Sequence, residues 1–334
     1  MTLHELAFPA MGTGVRVLAS DPGLLPGART VVERLAARLT RFDAGRELCA
    51  LNRDPRRVVP ASAELRAALG AALAGARLTG GLADPTLLGE LERAGYGESL
   101  TGRARAPLAA ALAAAPARRA AAPDPAARWR QVTVDDRAGA IVRPPGLRID
   151  LGGSAKGFIA DRAAALLAPA GPCAVDCGGD LRVHGAHRVR IRHPHSGNAA
   201  AELELHDGAV ATSGIDARLW RRDGGAAHHL LDPATGEPAW TGVVSATALA
   251  PTAAEAEARA KAALLAGPRA GLAFLRDHGG VLVHDDGTVV DARHDASRAM
   301  VREHLARDRG QILSSRTGKQ SDETQDLAPR GVAA

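Results

Sequence analysis

One stretch constrains the fold of this chain more than any other: residues 148–161, with the sequence RIDLGGSAKGFIAD. Alternating apolar residues predict a short strand, the two glycines predict a turn, and Ser154 is a residue type that favours a helix N-cap. Apolar residues then recur at helical spacing. A helix that begins after a glycine turn offers unpaired backbone N–H groups to an anion. The glycines alone could simply make the turn, but their combination with Asp150, Ala155-Lys156-Gly157 and Asp161 is much more specific than a glycine pair.

Hydrophobic periodicity along the chain predicts an α+β protein with mixed, mostly antiparallel sheets and flanking helices. We expect strands at residues 3–8, 14–20, 129–134, 139–143, 147–151, 173–177, 181–184, 187–192, 201–206, 209–212, 226–231, 243–250, 280–284 and 287–290. We expect helices at residues 27–41, 62–79, 155–167, 253–266, 268–277 and 297–306. Residues 1–306 are expected to form one domain, and the polar residues 307–334 a disordered tail.

Composition narrows the classes of function. Apolar residues make up 46% of the chain and aromatic residues only 2%, so the core must be built from Ala, Leu and Val. The net charge of +5 comes from scattered arginines without interleaved aromatic residues, which argues against a nucleic-acid partner. Three cysteines are too few for a disulfide framework. No apolar run could anchor the chain in a membrane, and no leader precedes the first motif, so we expect a cytoplasmic protein.

Further short motifs follow one another in a recognisable order. They are Met11-Gly12-Thr13, Phe42-Asp43 through Leu51-Asn52, Asp84-Pro85-Thr86, the central stretch from Asp150 to Asp161, Cys177-Gly178-Gly179-Asp180, Thr212-Ser213-Gly214, and His229 through Gly236. Over roughly residues 5–290, this series resembles the FAD:protein FMN transferases of the ApbE type. So many blocks in the same order make the resemblance specific.

The resemblance implies a two-lobed fold similar to a T-fold, with the flavin between the lobes. It also implies an activity: cleavage of the FAD pyrophosphate and transfer of FMN to a Thr or Ser hydroxyl of a partner flavoprotein, with release of AMP. Carried over by motif, the residues that contact FAD are Met11, Asp84, Pro85, Thr86, Ser154, Lys156, Asp161, Thr212, Ser213 and His229. Among these, Lys156 and His229 are the expected catalytic residues. An FAD pyrophosphatase and a non-catalytic flavin-binding protein remain alternatives.

Two neighbouring histidines, His228 and His229, stand at the start of the last motif. Neighbouring residues of a strand face opposite sides, so only one of His228 and His229 can face the site. The family pattern assigns this place to His229, whose role would be flavin contact or proton transfer. A half-buried histidine held by a hydrogen bond is the structural alternative.

The predicted metal site departs from the family pattern. The resemblance implies a magnesium ion held by the carbonyl of Ala155 and by an Asp and a Thr of a late helix, but here Glu257 and Lys261 take those two places. A glutamate can still bind magnesium, whereas an ammonium has no lone pair to offer. Lys261 could instead supply part of the metal's charge. Alternatively, Glu257 and Lys261 form an ordinary exposed i,i+4 ion pair.

Overall fold

The computed structural model describes residues 2–100, 105–222, 225–292 and 332–333. Its strands are β1 His4–Ala10, β2 Thr13–Ala19, β3 Val58–Pro60, β4 Thr133–Asp135, β5 Ala140–Val142, β6 Cys173–Cys177, β7 Asp180–Arg192, β8 Ala199–Gly214, β9 Leu219–Arg222, β10 Gly225–His228, β11 Val243–Ala250, β12 Gly280–His284, β13 Val289–Asp291 and β14 Val332–Ala333. Its α-helices are α1 Leu25–Leu39, α2 Glu47–Arg53, α3 Ala63–Leu78, α4 Leu88–Arg93, α5 Leu108–Ala113, α6 Ala155–Leu167 and α7 Ala253–Leu275.

A large sheet forms the centre of the described structure. Its strand order is β1-β2-β6-β7-β8-β11-β12-β13, with antiparallel neighbours throughout this path, and β14 pairs in parallel with β7. Two small antiparallel sheets, β3-β5-β4 and β10-β9, stand apart from it. The α+β class predicted from the sequence is therefore confirmed. The predicted strand pairs 181–184 with 187–192 and 201–206 with 209–212 are continuous long strands, β7 and β8, joined across a register shift between His184 and His187.

The predicted strand at residues 147–151 is wrong, because this segment belongs to no sheet. The side chain of Asn52 takes the place of a strand partner for Ile149. Asn52 Nδ2 donates to the Ile149 carbonyl at 2.8 Å, and the Ile149 N–H donates to Asn52 Oδ1 at 2.7 Å. The Asp150 N–H donates to the Pro85 carbonyl at 2.8 Å. These bonds hold the segment extended without a ladder.

Helices α6 and α7 cross in close backbone contact, which fixes the geometry of the cleft described below. A Cβ atom at Gly157 would lie 2.4 Å from the Ala253 carbonyl oxygen, so the crossing requires glycine at this position. Ala256 and Ala260 of α7 are fully buried, as the alanine-rich core requires. Residue 267 interrupts α7 with a positive φ of 80°, and Pro268 follows it, which agrees with the two helices predicted there.

The remaining predictions about chain organisation concern the C-terminal part. The helix expected at 297–306 and almost all of the polar tail at 307–334 lie outside the described residues. Within the described residues, none of the helices combines the length and the apolar character needed to cross a membrane.

Candidate active site

A cleft of about 940 Å³ opens between the β1–β2 turn, the glycine turn before α6, the end of β8 and the first turns of α7. The predicted site residues that line this cleft are Met11, Asp84, Ala155, Lys156, Thr212, Ser213, His229, Glu257 and Lys261. Those outside the lining are Pro85, Thr86, Ser154 and Asp161. The cleft therefore gathers residues from motifs that are far apart in the sequence.

The start of α6 differs from the expected anion site in one respect. Ser154 occupies the N-cap position, but its side chain accepts no capping hydrogen bond, and Ser154 Oγ lies 3.4 Å from the Leu151 carbonyl oxygen, to which it donates. The Gly157 N–H, one of the unpaired donors of the first turn, donates to Glu257 Oε2 at 3.0 Å. A carboxylate of α7 thus already binds one N–H group that the sequence analysis reserved for a ligand.

The lysine cluster, which we define as Lys156, Asp180, Glu257 and Lys261, lies between α6, β7 and α7. Lys156 Nζ donates to Asp180 Oδ2 and lies 3.6 Å from Glu257 Oε1. Burial raises the pKa of Asp180 well above its ordinary value, and the negative charge of Glu257 acts in the same direction. Burial opposes the charge of Lys156, but the two carboxylates outweigh it and raise the pKa of Lys156. One ammonium therefore lies between two buried carboxylates.

Lys261 does not form the exposed ion pair with Glu257 that was one of the sequence interpretations. Glu257 is only 3% exposed and is held by Lys156 and the Gly157 N–H instead. Lys261 Nζ donates to the Gly153 carbonyl oxygen at 2.6 Å. Burial lowers the pKa of Lys261, although the carboxylates of Glu257 and Asp150 oppose this shift. The residue at the family's threonine position thus places an ammonium on the glycine turn.

The residues present do not fit the magnesium site that the resemblance implies. Two ammonium groups stand among the two carboxylates, and an ammonium can neither ligate a cation nor lie beside one without repulsion. Both carboxylates already have donors, Lys156 for Asp180 and the Gly157 N–H for Glu257. Within the described part of the chain, no group of three or more His, Cys, Asp or Glu residues is placed to hold a metal ion.

The D-P-T motif places one carboxylate at the cleft, and its neighbours hold that carboxylate. Thr86 Oγ1 donates to Asp84 Oδ1 at 2.6 Å, and the Thr86 N–H donates to the same oxygen at 2.7 Å. Asp84 Oδ2 is buried without a hydrogen-bond partner among the described residues. Burial raises the pKa of Asp84, and the bonds from Thr86 oppose this shift. Asp84 is thus the residue of the motif that lines the cleft, and Thr86 holds its other oxygen from outside the lining.

Asp161 has a different place from the one expected. Its two carboxylate oxygens accept the Ala253 N–H at 2.8 Å and the Ala254 N–H at 3.0 Å. These are unpaired donors at the beginning of α7, so the carboxylate caps that helix and favours its positive end. The FAD contact of Asp161 stays a prediction, while in this structure Asp161 joins α6 to α7 and does not line the cleft.

The two histidines have different environments, although the predicted strand at 226–231 ends at His228 and His229 lies outside it. His228 is fully buried, its ring packs edge-on against Trp240 at 4.8 Å, and burial lowers its pKa to about 3. His229 lines the cleft, and its Nδ1 has no hydrogen-bond partner among the described residues. Burial lowers the pKa of His229 well below its ordinary value, and the positive charges of Arg218 and Lys261 contribute. His229 is thus a neutral imidazole at the cleft near pH 7.

The glycine turns beside the cleft explain the positions of the remaining motifs. Met11 lies in the β1–β2 turn with a φ of 54°. A Cβ atom at Gly178, whose φ is 71°, would lie 2.2 Å from Thr13 Oγ1, so the G-G-D turn packs directly on the M-G-T turn. At the end of β8, Thr212 and Thr247 share a hydrogen bond of 2.8 Å between their hydroxyl oxygens. Ser213 lines the cleft next to them.

A second group of cleft residues was not predicted from the sequence as a cluster. It consists of Arg41, Phe42, Tyr96 and Trp220, and we call it the arginine–aromatic cluster. The Arg41 guanidinium lies 4.2 Å from the Phe42 ring centre and 4.6 Å from that of Tyr96, and the rings of Tyr96 and Trp220 are 5.5 Å apart. Arg41 Nε also pairs with Asp150 Oδ1 at 3.0 Å. The sequence did contain a signal for it. The chain has one tyrosine and three tryptophans, so each of these aromatic residues is rare enough to be informative.

Comparison with known proteins identifies relatives of this chain. The family model described as the ApbE family matches residues 11–283. A protein of Treponema pallidum named FAD:protein FMN transferase is 37% identical over 195 residues, which cover 49% of this chain and 54% of that protein. A protein of the same name from Escherichia coli K12 is 31% identical over 145 residues, covering 40% of this chain and 41% of that protein. The alignments thus span about half of these relatives' lengths.

Solved structures extend the likeness over more of the chain. The ApbE protein of Thermotoga maritima is 27% identical, with a TM-score of 0.74, and the match covers 90% of this chain and all of that one. The flavin transferase ApbE of Vibrio cholerae is 21% identical with a TM-score of 0.65, which speaks for the fold. With the family model matched from the M-G-T turn to strand β12, this chain belongs to the ApbE family.

Proposed function

We propose that this protein transfers the FMN part of FAD to a Thr or Ser hydroxyl of a partner flavoprotein through a phosphoester bond. The observation that carries the proposal is the cleft itself. Its lining contains two ammonium groups, a glycine turn, and a cluster of aromatic rings with an arginine. FAD has two phosphates and two flat ring systems, so its charges and its rings both find suitable partners here. The names of the relatives support the same activity.

The reaction that we propose is an in-line displacement at phosphorus. The acceptor hydroxyl oxygen forms a new bond to the phosphorus on the FMN side, the P–O bond of the pyrophosphate breaks, and AMP leaves with the bonding electrons. The hydroxyl proton passes to His229, which is neutral and has a free Nδ1. Lys156 and Lys261 offset the negative charge of the phosphates. Met11, Asp84, Thr212 and Ser213 are the proposed contacts to the rest of FAD.

Two other functions use the same cleft. In an FAD pyrophosphatase, water replaces the acceptor hydroxyl and the products are free FMN and AMP. A flavin-binding protein would bind FAD and leave it intact. The magnesium requirement predicted from the family is not part of the proposal, because the residues at its site do not fit the ion. The cytoplasmic location remains a prediction from the sequence.

The experiment that separates these functions uses purified protein, FAD and an extract of source cells that lack this gene. We expect one cellular protein to gain the mass of FMN less one water, with one AMP released for each protein modified. Free FMN and AMP without a covalent product would indicate a pyrophosphatase. Unchanged FAD would indicate a binding protein.

A matched pair of variants tests the role of His229. His229→Ala is expected to lower the transfer rate at least 100-fold with little change in melting temperature, because it removes the proposed proton acceptor. His228→Ala is expected to lower stability more than it lowers the rate per folded molecule, since His228 is buried behind the cleft. Equal effects of the two changes on the rate would contradict the assignment.

A further inference from the structure

Lys261 packs against the backbone of the glycine turn, at a residue that has no side chain. A Cβ atom at Gly153 would lie only 1.8 Å from Lys261 Nζ, so the ammonium fills the space that a side chain at position 153 would take. From there Nζ donates one hydrogen bond, 2.6 Å long, to the Gly153 carbonyl. The contact joins α7 to the glycine turn that precedes α6. The ammonium is therefore fixed in the wall of the cleft.

Lys261 has hydrogen-bond donors left over in the cleft wall. Lys156 contacts the carboxylates of Asp180 and Glu257, whereas the hydrogen-bond acceptor of Lys261 among the described residues is a neutral carbonyl. An ammonium has three donors, so two remain for a ligand. Phosphate oxygens of a ligand can accept both.

The choice of lysine is unusual in this sequence. The chain has lysine at positions 156, 261 and 319, and every other basic residue among its 42 Lys and Arg is arginine. Both lysines within the described residues line the cleft. The ammonium that lies beside Gly153 is a compact point charge, whereas a guanidinium is a larger planar fork. The cleft thus presents two point charges in a chain that otherwise uses arginine almost throughout.

We propose that Lys261 is a built-in cation that binds the pyrophosphate of the substrate at the glycine turn, so that binding and cleavage need no protein-bound divalent metal ion. The proposal rests on the proposed function in that it takes FAD as the ligand. Lys261 Nζ directs its two remaining N–H groups at phosphate oxygens. Glu257 then holds Lys156 and the first turn of α6 instead of a metal.

The test measures binding separately from transfer, by calorimetry with FAD and with riboflavin, which lacks the phosphates. In the presence of a chelator, we expect the parent to bind FAD as tightly as with added magnesium, within twofold. Lys261→Met is expected to weaken FAD binding at least tenfold and riboflavin binding no more than twofold. Arg190→Met, at an exposed arginine that does not line the cleft, is the control and is expected to alter neither affinity.

A second variant keeps the charge and moves it. Gly153→Ala places a methyl group where Lys261 Nζ lies, and the flexible end of the lysine can give way, so we expect an unchanged melting temperature with a tenfold loss of FAD affinity. Parent-like FAD affinity in both Lys261→Met and Gly153→Ala, or a parent that needs magnesium to bind FAD, would overturn the proposal. Because these readouts do not involve transfer, they stand even if the transferase activity is absent.

Discussion

The lysine cluster and the arginine–aromatic cluster both hold a cation at the cleft, but different groups surround the two cations. Lys156 is held by carboxylates from β7 and α7. Arg41 also pairs with a carboxylate, Asp150, but its guanidinium lies against the rings of Phe42 and Tyr96, and Phe42 is 43% exposed. In the proposed function, the first environment suits the concentrated charge of a phosphate, and the second suits a flat ring. One cleft can therefore offer separate contacts to the two kinds of group in one ligand.

The largest effect is expected from breaking the lysine cluster. Asp180→Asn leaves Lys156 with a weaker partner in a buried site, so we expect a loss of about 3 kcal/mol in the free energy of unfolding and a transfer rate at least 100-fold lower. Urea unfolding and an AMP assay measure the two effects. Asp207→Asn is the matched control, because its ion pair with His184 is exposed. If Asp207→Asn lost as much stability as Asp180→Asn, the buried pair would contribute no more than the exposed pair, and this would contradict the prediction.

The buried histidine behind the cleft is expected to make stability depend on pH. His228 has a pKa near 3 when folded and an ordinary value of 6.5 when unfolded, so the unfolded chain takes up the proton first as pH falls. Stability from this group is complete above pH 6.5 and decreases towards pH 3. Relative to His228→Phe, the parent should lose about 2 kcal/mol between pH 7.5 and pH 5. Denaturant unfolding at both pH values measures this, and a constant difference would contradict it.

The capping role of Asp161 gives an effect of intermediate size. Asp161→Ala removes the acceptor of two N–H groups at the start of α7, and we expect a loss of about 1 kcal/mol in unfolding free energy. The affinity for FAD should change less than twofold, because the residue lies outside the cleft. Denaturant unfolding and calorimetry are the measurements. A tenfold loss of FAD affinity at constant stability would restore Asp161 to the list of FAD contacts.

The smallest effect is expected at the arginine–aromatic cluster. Phe42→Ala removes one ring beside Arg41 from an exposed position, so stability should change by less than about 0.5 kcal/mol. If this cluster receives a ring of FAD, the affinity for FAD should fall roughly threefold, in line with the energy of a single aromatic contact. Fluorescence titration measures it. Val58→Ala, at another exposed apolar residue, is the control. Equal FAD affinities in the parent and in both variants would show that this cluster does not bind FAD.

The difference between the two clusters also explains what could be predicted from the sequence. The central motif fixes the glycine turn, the start of α6 and Lys156, because glycine and helix periodicity leave few other conformations. The role of Lys261 could not be predicted from its spacing to Glu257. Two residues at i,i+4 spacing give the same sequence pattern whether they pair with each other on the surface or bind different partners in the interior. Only the crossing of α6 and α7 at Gly157 decides that Glu257 turns to Lys156.

Other errors have a common physical cause. The segment 147–151 alternates like a strand, but its partner is the side chain of Asn52 rather than another strand. The place of Asp161 in the motif did not indicate that it caps a helix 92 residues further along the chain. The arginine–aromatic cluster combines residues from three separate loops and strands. In each case a long-range contact, invisible to local periodicity, determines the outcome.

The most direct test of the account is a crystal structure of the protein with FAD grown in manganese chloride, with anomalous diffraction recorded for manganese. We expect the pyrophosphate within hydrogen-bond distance of Lys261 Nζ, and no anomalous peak between Glu257 and the Ala155 carbonyl. An anomalous peak at that place, coordinated by Glu257 with the Lys261 side chain turned away, would contradict the account.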